Sequence, residues 1–156
     1  MFVRYFFELD LPFDDVEQAL LRSPKEWVPG VAAEAEARGE RLLAEVGFGR
    51  SAYRIGKKVE IEIADPIRFP SKTVLPMSWR PHGGESLLPS LEADIEVGAM
   101  GPARTQLSVS ARYRPPLGIV GRIVDRALLH RVAEATVKDF LDRAGKSILA
   151  IDPAQT

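Results

Sequence analysis

Residues 107–149 read LSVSARYRPPLGIVGRIVDRALLHRVAEATVKDFLDRAGKSIL, and their periodicity changes once. Leu107, Val109, Ala111 and Tyr113 alternate with Ser108, Ser110, Arg112 and Arg114, the pattern of a strand with one apolar and one polar face. Pro115-Pro116-Leu117-Gly118 ends the alternation, because proline cannot extend a hydrogen-bond ladder and glycine permits a tight approach to the next element. From Ile119 to about Leu149 the apolar residues Val120, Ile123, Val124, Ala127, Ala133, Val137, Phe140, Leu141, Ala144 and Ile148 follow a helical period. At 1.5 Å per residue this helix spans roughly 45 Å, so a bend near Gly145 or a frayed end is expected.

Upstream the signals are those of strands. Leu91, Ala93, Ile95, Val97 and Ala99 oppose Glu92, Asp94 and Glu96, and Gly101-Pro102 marks the turn into residue 107. Lys72 to Arg80 places Thr73, Leu75, Met77 and Trp79 on one face, with Pro76 pointing to an edge or a bulge. Pro81-His82-Gly83-Gly84 is a turn. In Lys58 to Ala64, Val59, Ile61 and Ile63 alternate with charges, and period two recurs, less cleanly, from Glu40 to Gly49. The Ala/Glu-rich stretch 31–45 fits a helix or a strand. At the N-terminus, Phe2 to Leu11 reads as a strand stopped by Pro12. A short helix capped by Asp14 or Asp15 then runs towards Ser23, and Trp27 with Pro29-Gly30 reads as a turn.

Two-faced strands cannot bury their apolar sides alone, and only the long C-terminal helix is large enough to cover them. The expected fold is therefore α+β, a curved antiparallel sheet wrapped around that helix, as one domain over residues 1–150 with a tail at 151–156. At 156 residues the chain can bury a core, and 46% hydrophobic with 28% charged residues is an ordinary folded composition.

A net charge of -1 gives no basic field for phosphate backbones, so nucleic acid is not expected as a partner. The absence of cysteine excludes disulfides and thiolate zinc sites, and no cofactor is expected. No signal peptide is read in the first ten residues and no apolar run approaches the roughly 20 residues of a membrane span, so a cytoplasmic protein is expected.

The order of strand, short helix, antiparallel strands and terminal helix resembles the START/Bet v 1-like (SRPBCC, polyketide cyclase and lipid-transport) superfamily. In particular, Trp79-Arg80-Pro81, Leu88-Pro89-Ser90-Leu91-Glu92, Tyr113 to Gly118 and Asp125 to Ala133 resemble uncharacterised bacterial members. The resemblance implies a helix-grip fold with a deep cavity between sheet and last helix. Spacing alone favours a solid core, since apolar stripes usually pack on one another, and only the resemblance reverses that preference. With the resemblance, the inward residues Ile61, Ile63, Leu75, Met77, Trp79, Ile95, Val97, Leu107, Val109 and Tyr113, with Ile123 and Ala127 of the helix, become candidate contacts for a hydrophobic small molecule, lipid or polyketide-like. A cyclase- or aromatase-like enzyme and a protein-interaction module are the alternatives.

Chemistry-bearing residues are sparse. His82 and His130 make no metal-binding spacing and read as surface residues. Glu60, Glu62, Glu92, Asp94 and Glu96 lie opposite the apolar faces, where water solvates them. Arg112, Arg114, Arg122, Arg126 and Arg131 could meet an anionic headgroup or a membrane surface, but a solvated charged face is the favoured reading. The Trp79 indole N–H and Tyr113 hydroxyl could orient a ligand at the pocket mouth, but the favoured reading is of core aromatics whose polar tips find backbone partners.

Overall fold

Five of the expected strands form and pair antiparallel. The computed structural model describes residues 2–45, 60–80, 90–114 and 126–150. Its elements are β1 (Phe2–Leu9), α1 (Phe13–Leu21), α2 (Pro24–Glu45), β2 (Glu60–Ile63), β3 (Ile67–Phe69), β4 (Lys72–Arg80), β5 (Ser90–Ala99), β6 (Thr105–Arg114) and α3 (Arg126–Leu149). The six strands make one sheet in the order β1-β6-β5-β4-β2, with β3 also on β4. The hairpin between β5 and β6 closes through Met100 N–H donating to the Arg104 carbonyl at 2.9 Å. Gly101 sits there at φ +131°, a conformation that side-chain-bearing residues avoid.

Opposed residues in an antiparallel pair share a face, so the register aligns the apolar positions into rows across the sheet. Ile61, Trp79, Leu91 and Tyr113 form one row, and Ile63, Met77, Ala93, Ala111 and Val3 the next. Further along run Leu75, Ile95, Val109 and Tyr5, then Thr73, Val97, Leu107 and Phe7. This is the face that meets α3, whose Ala133, Val137, Phe140, Leu141, Ala144 and Ile148 are all buried. Each fully buried Leu, Val or Phe contributes about 1.5–3 kcal/mol.

Pro76 lies inside the sheet rather than at an edge. Its carbonyl accepts from Ala64 N–H at 2.9 Å, and a strand residue's N and O point to the same side. The donor that proline lacks would therefore face the gap at 64–66 between β2 and β3, where no strand bond is required.

The largest correction concerns 24–45, where the turn at Trp27 and Pro29-Gly30 and the strand begun at Glu40 are replaced by one helix, α2; residues 46–49 lie outside the described residues. Its buried positions Val28, Ala32, Ala35, Glu36 and Gly39 are spaced as one helical stripe. The stripe is made of small residues and a glutamate, so hydrophobic contrast is weak. Pro29 falls just after the first turn, where it costs a single backbone bond.

The N-cap of α1 is a smaller correction. Pro12, not an aspartate, occupies the N-cap of α1, while Asp14 and Asp15 sit in its first turn, where the helix dipole favours negative charge. The helix α3 continues through Gly145 to Leu149, the end expected from its period. Its expected start at 119–125, with Ile123, the turns at 81–84 and 115–118, and Val59, lies outside the described residues.

Candidate functional site

The inner face of the sheet holds ten of the candidate residues. Leu75, Met77, Trp79, Ile95, Val97, Leu107, Val109 and Tyr113 are buried, and Ile61 and Ile63 half-buried against the same core. Ala127 departs from expectation: at the start of α3 it is exposed.

Between sheet and α3 lies a crevice lined by Met77, Trp79, Leu91, Ala93, Val109, Ala111, Val137 and Phe140. It exists because Ala93 and Ala111 stand side by side in one row, where two small side chains leave a gap under Val137 and Phe140. The gap holds about 180 Å³, none of it wide enough for a water molecule. Pockets for drug-sized ligands hold roughly 300–1,000 Å³. Among the described residues, then, the interior is close to the packed core that spacing alone allowed. The Trp79 and Phe140 rings, 5.7 Å apart at 54°, close one side of it.

Polar groups converge on the neighbouring row. Trp79 Nε1 donates to Glu36 Oε2 at 3.3 Å, so the indole partner is a carboxylate from α2 rather than the backbone. Glu36 is 4% exposed, a buried acid inside a face that the sequence reading took to carry none. Two strands away, the Tyr113 hydroxyl meets His130 Nδ1 at 2.9 Å, again not a backbone group. His130 Nε2 lies 3.1 Å from Glu134 Oε1, one helical turn on. Burial, with the Glu134 charge adding to it, pushes the Tyr113 hydroxyl above the ordinary tyrosine range. His130 is half-exposed, so the chain Tyr113–His130–Glu134 leads from the interior towards solvent.

Sequence reasoning missed Glu36 because α2 was unassigned, although the 28, 32, 35, 39 spacing carried the signal. It missed His130 because a histidine beside an arginine on a long helix reads as surface. The pairing with Tyr113 is a tertiary contact.

At the other end of the sheet, Glu17 of α1 is buried and ties that helix to β3 and β4. Its Oε1 accepts from Arg68 at 2.5 Å and its Oε2 from the Thr73 hydroxyl. Burial pushes the carboxyl up, but the bonds from Arg68 and Thr73 and the Arg68 charge outweigh it, leaving Glu17 below its ordinary range.

The opposite face of the sheet is polar at its centre, as expected, with Phe2, Phe6, Ile67 and Phe69 exposed towards its two edges. Glu60, Glu62, Glu92, Asp94, Arg112 and Arg114 are exposed there, and Glu96 pairs with Lys72 at 3.0 Å. Phe2, Glu62, Ser78, Glu92, Asp94, Ser110 and Arg112 border an open depression of about 600 Å³ on this face. Arg131 is exposed on α3, and Arg122 and the Arg126 side chain lie outside the described residues. No helix among the described residues is long and apolar enough to cross a membrane, and none of their acidic and histidine side chains cluster to hold a metal.

A curved antiparallel sheet closed over a long C-terminal helix, with α1 and α2 between the first two strands, is a helix-grip α+β fold. Among solved structures, a conserved protein from Geobacillus kaustophilus is similar over 96% of this chain and 95% of its own, at 18% identity and TM-score 0.51. Ara h 8.0201 is similar over 97% and 100% (10% identity, TM-score 0.47), and the Zhui aromatase/cyclase from a Streptomyces species over 96% and 96% (14%, 0.39). With the Geobacillus protein, at this identity, what is shared is the fold. No protein-family model and no curated protein sequence matches the chain.

Proposed function

We propose that the protein binds a largely apolar small molecule between β4–β6 and α3, with its polar end at the Trp79–Leu91–Tyr113 row. The observation that carries this reading is the crevice at Ala93 and Ala111, apolar throughout and bordered on one row by Glu36 and His130 with their aromatic partners. A few placed polar groups beside an apolar wall are the usual make-up of a small-molecule site. Because the crevice is narrow, the ligand enters by displacing Met77 and Phe140, and methionine adapts to such repacking at low cost.

Native mass spectrometry of the protein from its own host, followed by extraction under denaturing conditions, tests the proposal together with titration of a hydrophobic fluorescent dye. The expected result is a bound apolar molecule or saturable dye binding, weakened about tenfold in Ala111→Leu, whose added side chain fills the gap. An empty protein that binds no dye, or an Ala111→Leu variant that binds like the parent, refutes it.

A second reading, a cyclase-like enzyme, is favoured by the buried Glu36 carboxylate and the Tyr113–His130–Glu134 chain, since acid–base work needs such groups in reach of a substrate. Turnover of a polyketone lost in Glu36→Gln would support it. A protein-interaction module fits less well. The exposed Phe2 and Phe6 lie on β1 and Ile67 and Phe69 on β3, separated by β6, β5 and β4, so they form no single apolar patch.

A further inference from the structure

The strand β1 is an edge of the sheet. β6 pairs with one side of it, and no strand among the described residues pairs with the other. The ladder decides which backbone groups face that open side. Met100 N–H donates to the Arg104 carbonyl, so these two residues are a hydrogen-bonded pair, and the alternation of an antiparallel ladder makes Gly98–Gln106, Glu96–Ser108 and Asp94–Ser110 hydrogen-bonded pairs as well. The residues between them on β6 therefore turn their N–H and C=O towards β1, where Leu107 meets Phe7 and Val109 meets Tyr5. In β1 itself Arg4, Phe6 and Glu8 hold their N–H and C=O outwards, a row of donors and acceptors that can take a further strand.

The side chains say which strand fits. Charges on an edge turn away most incoming strands. Arg4 and Glu8 are exposed; Arg4 has no acidic partner among the described residues, and Glu8 meets Arg104 only at 3.4 Å. Between them Phe6 is 60% exposed, a large apolar ring on a charged edge. When a second copy of β1 runs antiparallel with Phe6 opposite the partner's Phe6, Arg4 stands opposite the partner's Glu8, and symmetry repeats the pair. On the inner face Tyr5 meets the partner's Phe7 and Val3 the partner's Leu9, so the apolar rows run on from one sheet into the next. Opposed residues share a face, so the register between two copies of one strand changes only in steps of two. One step in one direction puts Arg4 against the partner's Phe6, and one step in the other puts Glu8 there instead.

We propose that a second copy of this chain is the partner of this edge: β1 pairs antiparallel with its own copy, centred on Phe6, in a two-fold symmetric dimer with one continuous sheet. Arg4, Phe6 and Glu8 each exchange both backbone bonds with the residue opposite. A contact along one strand edge buries little area, so the dimer is weak and its population follows concentration. The crevice between β4–β6 and α3 plays no part in it.

Sedimentation velocity of the full chain from micromolar to millimolar concentration tests the proposal, with reversible exchange between monomer and dimer as the expected result. Arg4→Glu and Glu8→Arg each make both symmetric charge pairs repulsive without touching the packed inner face, and each should weaken dimerisation about thirtyfold. An equimolar mixture of the two variants isolates the register. There the two substituted positions face each other with opposite charges, and the native Glu8 of one variant faces the native Arg4 of the other, so a heterodimer with the parent's affinity is expected. Both positions are exposed, so circular dichroism of the variants should match the parent. A parent chain that stays monomeric at millimolar concentration, a dimer indifferent to both substitutions, or a mixture that associates no better than its components overturns the proposal.

Discussion

Gly145 sits in the middle of the last turns of α3 with the Phe7 ring pressed against it, and Gly145→Ala should destabilise the fold although alanine is the better helix former. A Cβ built on Gly145 would lie 1.9 Å from Phe7 Cζ and 2.7 and 2.9 Å from its two Cε atoms. The three nearest atoms all belong to that one ring. Alanine gains about 1 kcal/mol of helix propensity over glycine. Against this, pushing a packed ring aside costs about 1–3 kcal/mol, because Phe7 is packed against the core from the edge strand. The net is a loss of about 1 kcal/mol, or a fall of about 3 °C in Tm for a chain of this size.

The sign should invert once the ring is removed. In a Phe7→Ala background the clash disappears, and Gly145→Ala should raise stability by about 1 kcal/mol relative to Phe7→Ala alone. The double-mutant cycle then reports a coupling of about 2 kcal/mol. Urea unfolding followed by circular dichroism on the four proteins measures it. Stabilisation by Gly145→Ala with Phe7 intact, or the same effect in both backgrounds, would refute the close approach as the reason for glycine.

Two pH effects follow from groups at opposite ends of the sheet. Glu17 titrates below its ordinary value in the fold, so it stabilises the protein at neutral pH, and this contribution is lost as pH falls from the ordinary carboxylate range through the folded value. Glu17→Gln should lose about 1–3 kcal/mol at pH 7, through the Thr73 hydroxyl left poorly paired, and show a flatter acid limb in denaturation measured against pH. Tyr113 titrates above its ordinary value, so its contribution is complete below the ordinary tyrosine range and disappears as pH rises through the folded value. Tyr113→Phe should therefore lose less stability than the parent as pH rises from the ordinary tyrosine value of about 10 upward, and an equal alkaline decline would count against a buried, His-bonded hydroxyl.

What the sequence determined by itself is the alternation and the change of period. Leu91–Val97, Leu107–Tyr113 and Thr73–Trp79 had to be two-faced strands, and the stripe from Ala133 to Ile148 had to be the helix covering them, because side-chain direction follows the local period whatever the partner. From these the antiparallel sheet and its helix are legible. The α2 helix was not, because its inner stripe is alanine, glycine and a glutamate, and Pro29-Gly30 imitates a turn; only packing against α3 selects helix there. The site divides the same way. Its apolar wall was readable residue by residue, but the gap depends on Ala93 and Ala111 falling side by side, which register decides. The polar end depends on Glu36 reaching Trp79 and His130 reaching Tyr113, contacts between residues far apart in the chain, and only the tertiary structure brings them within hydrogen-bonding distance.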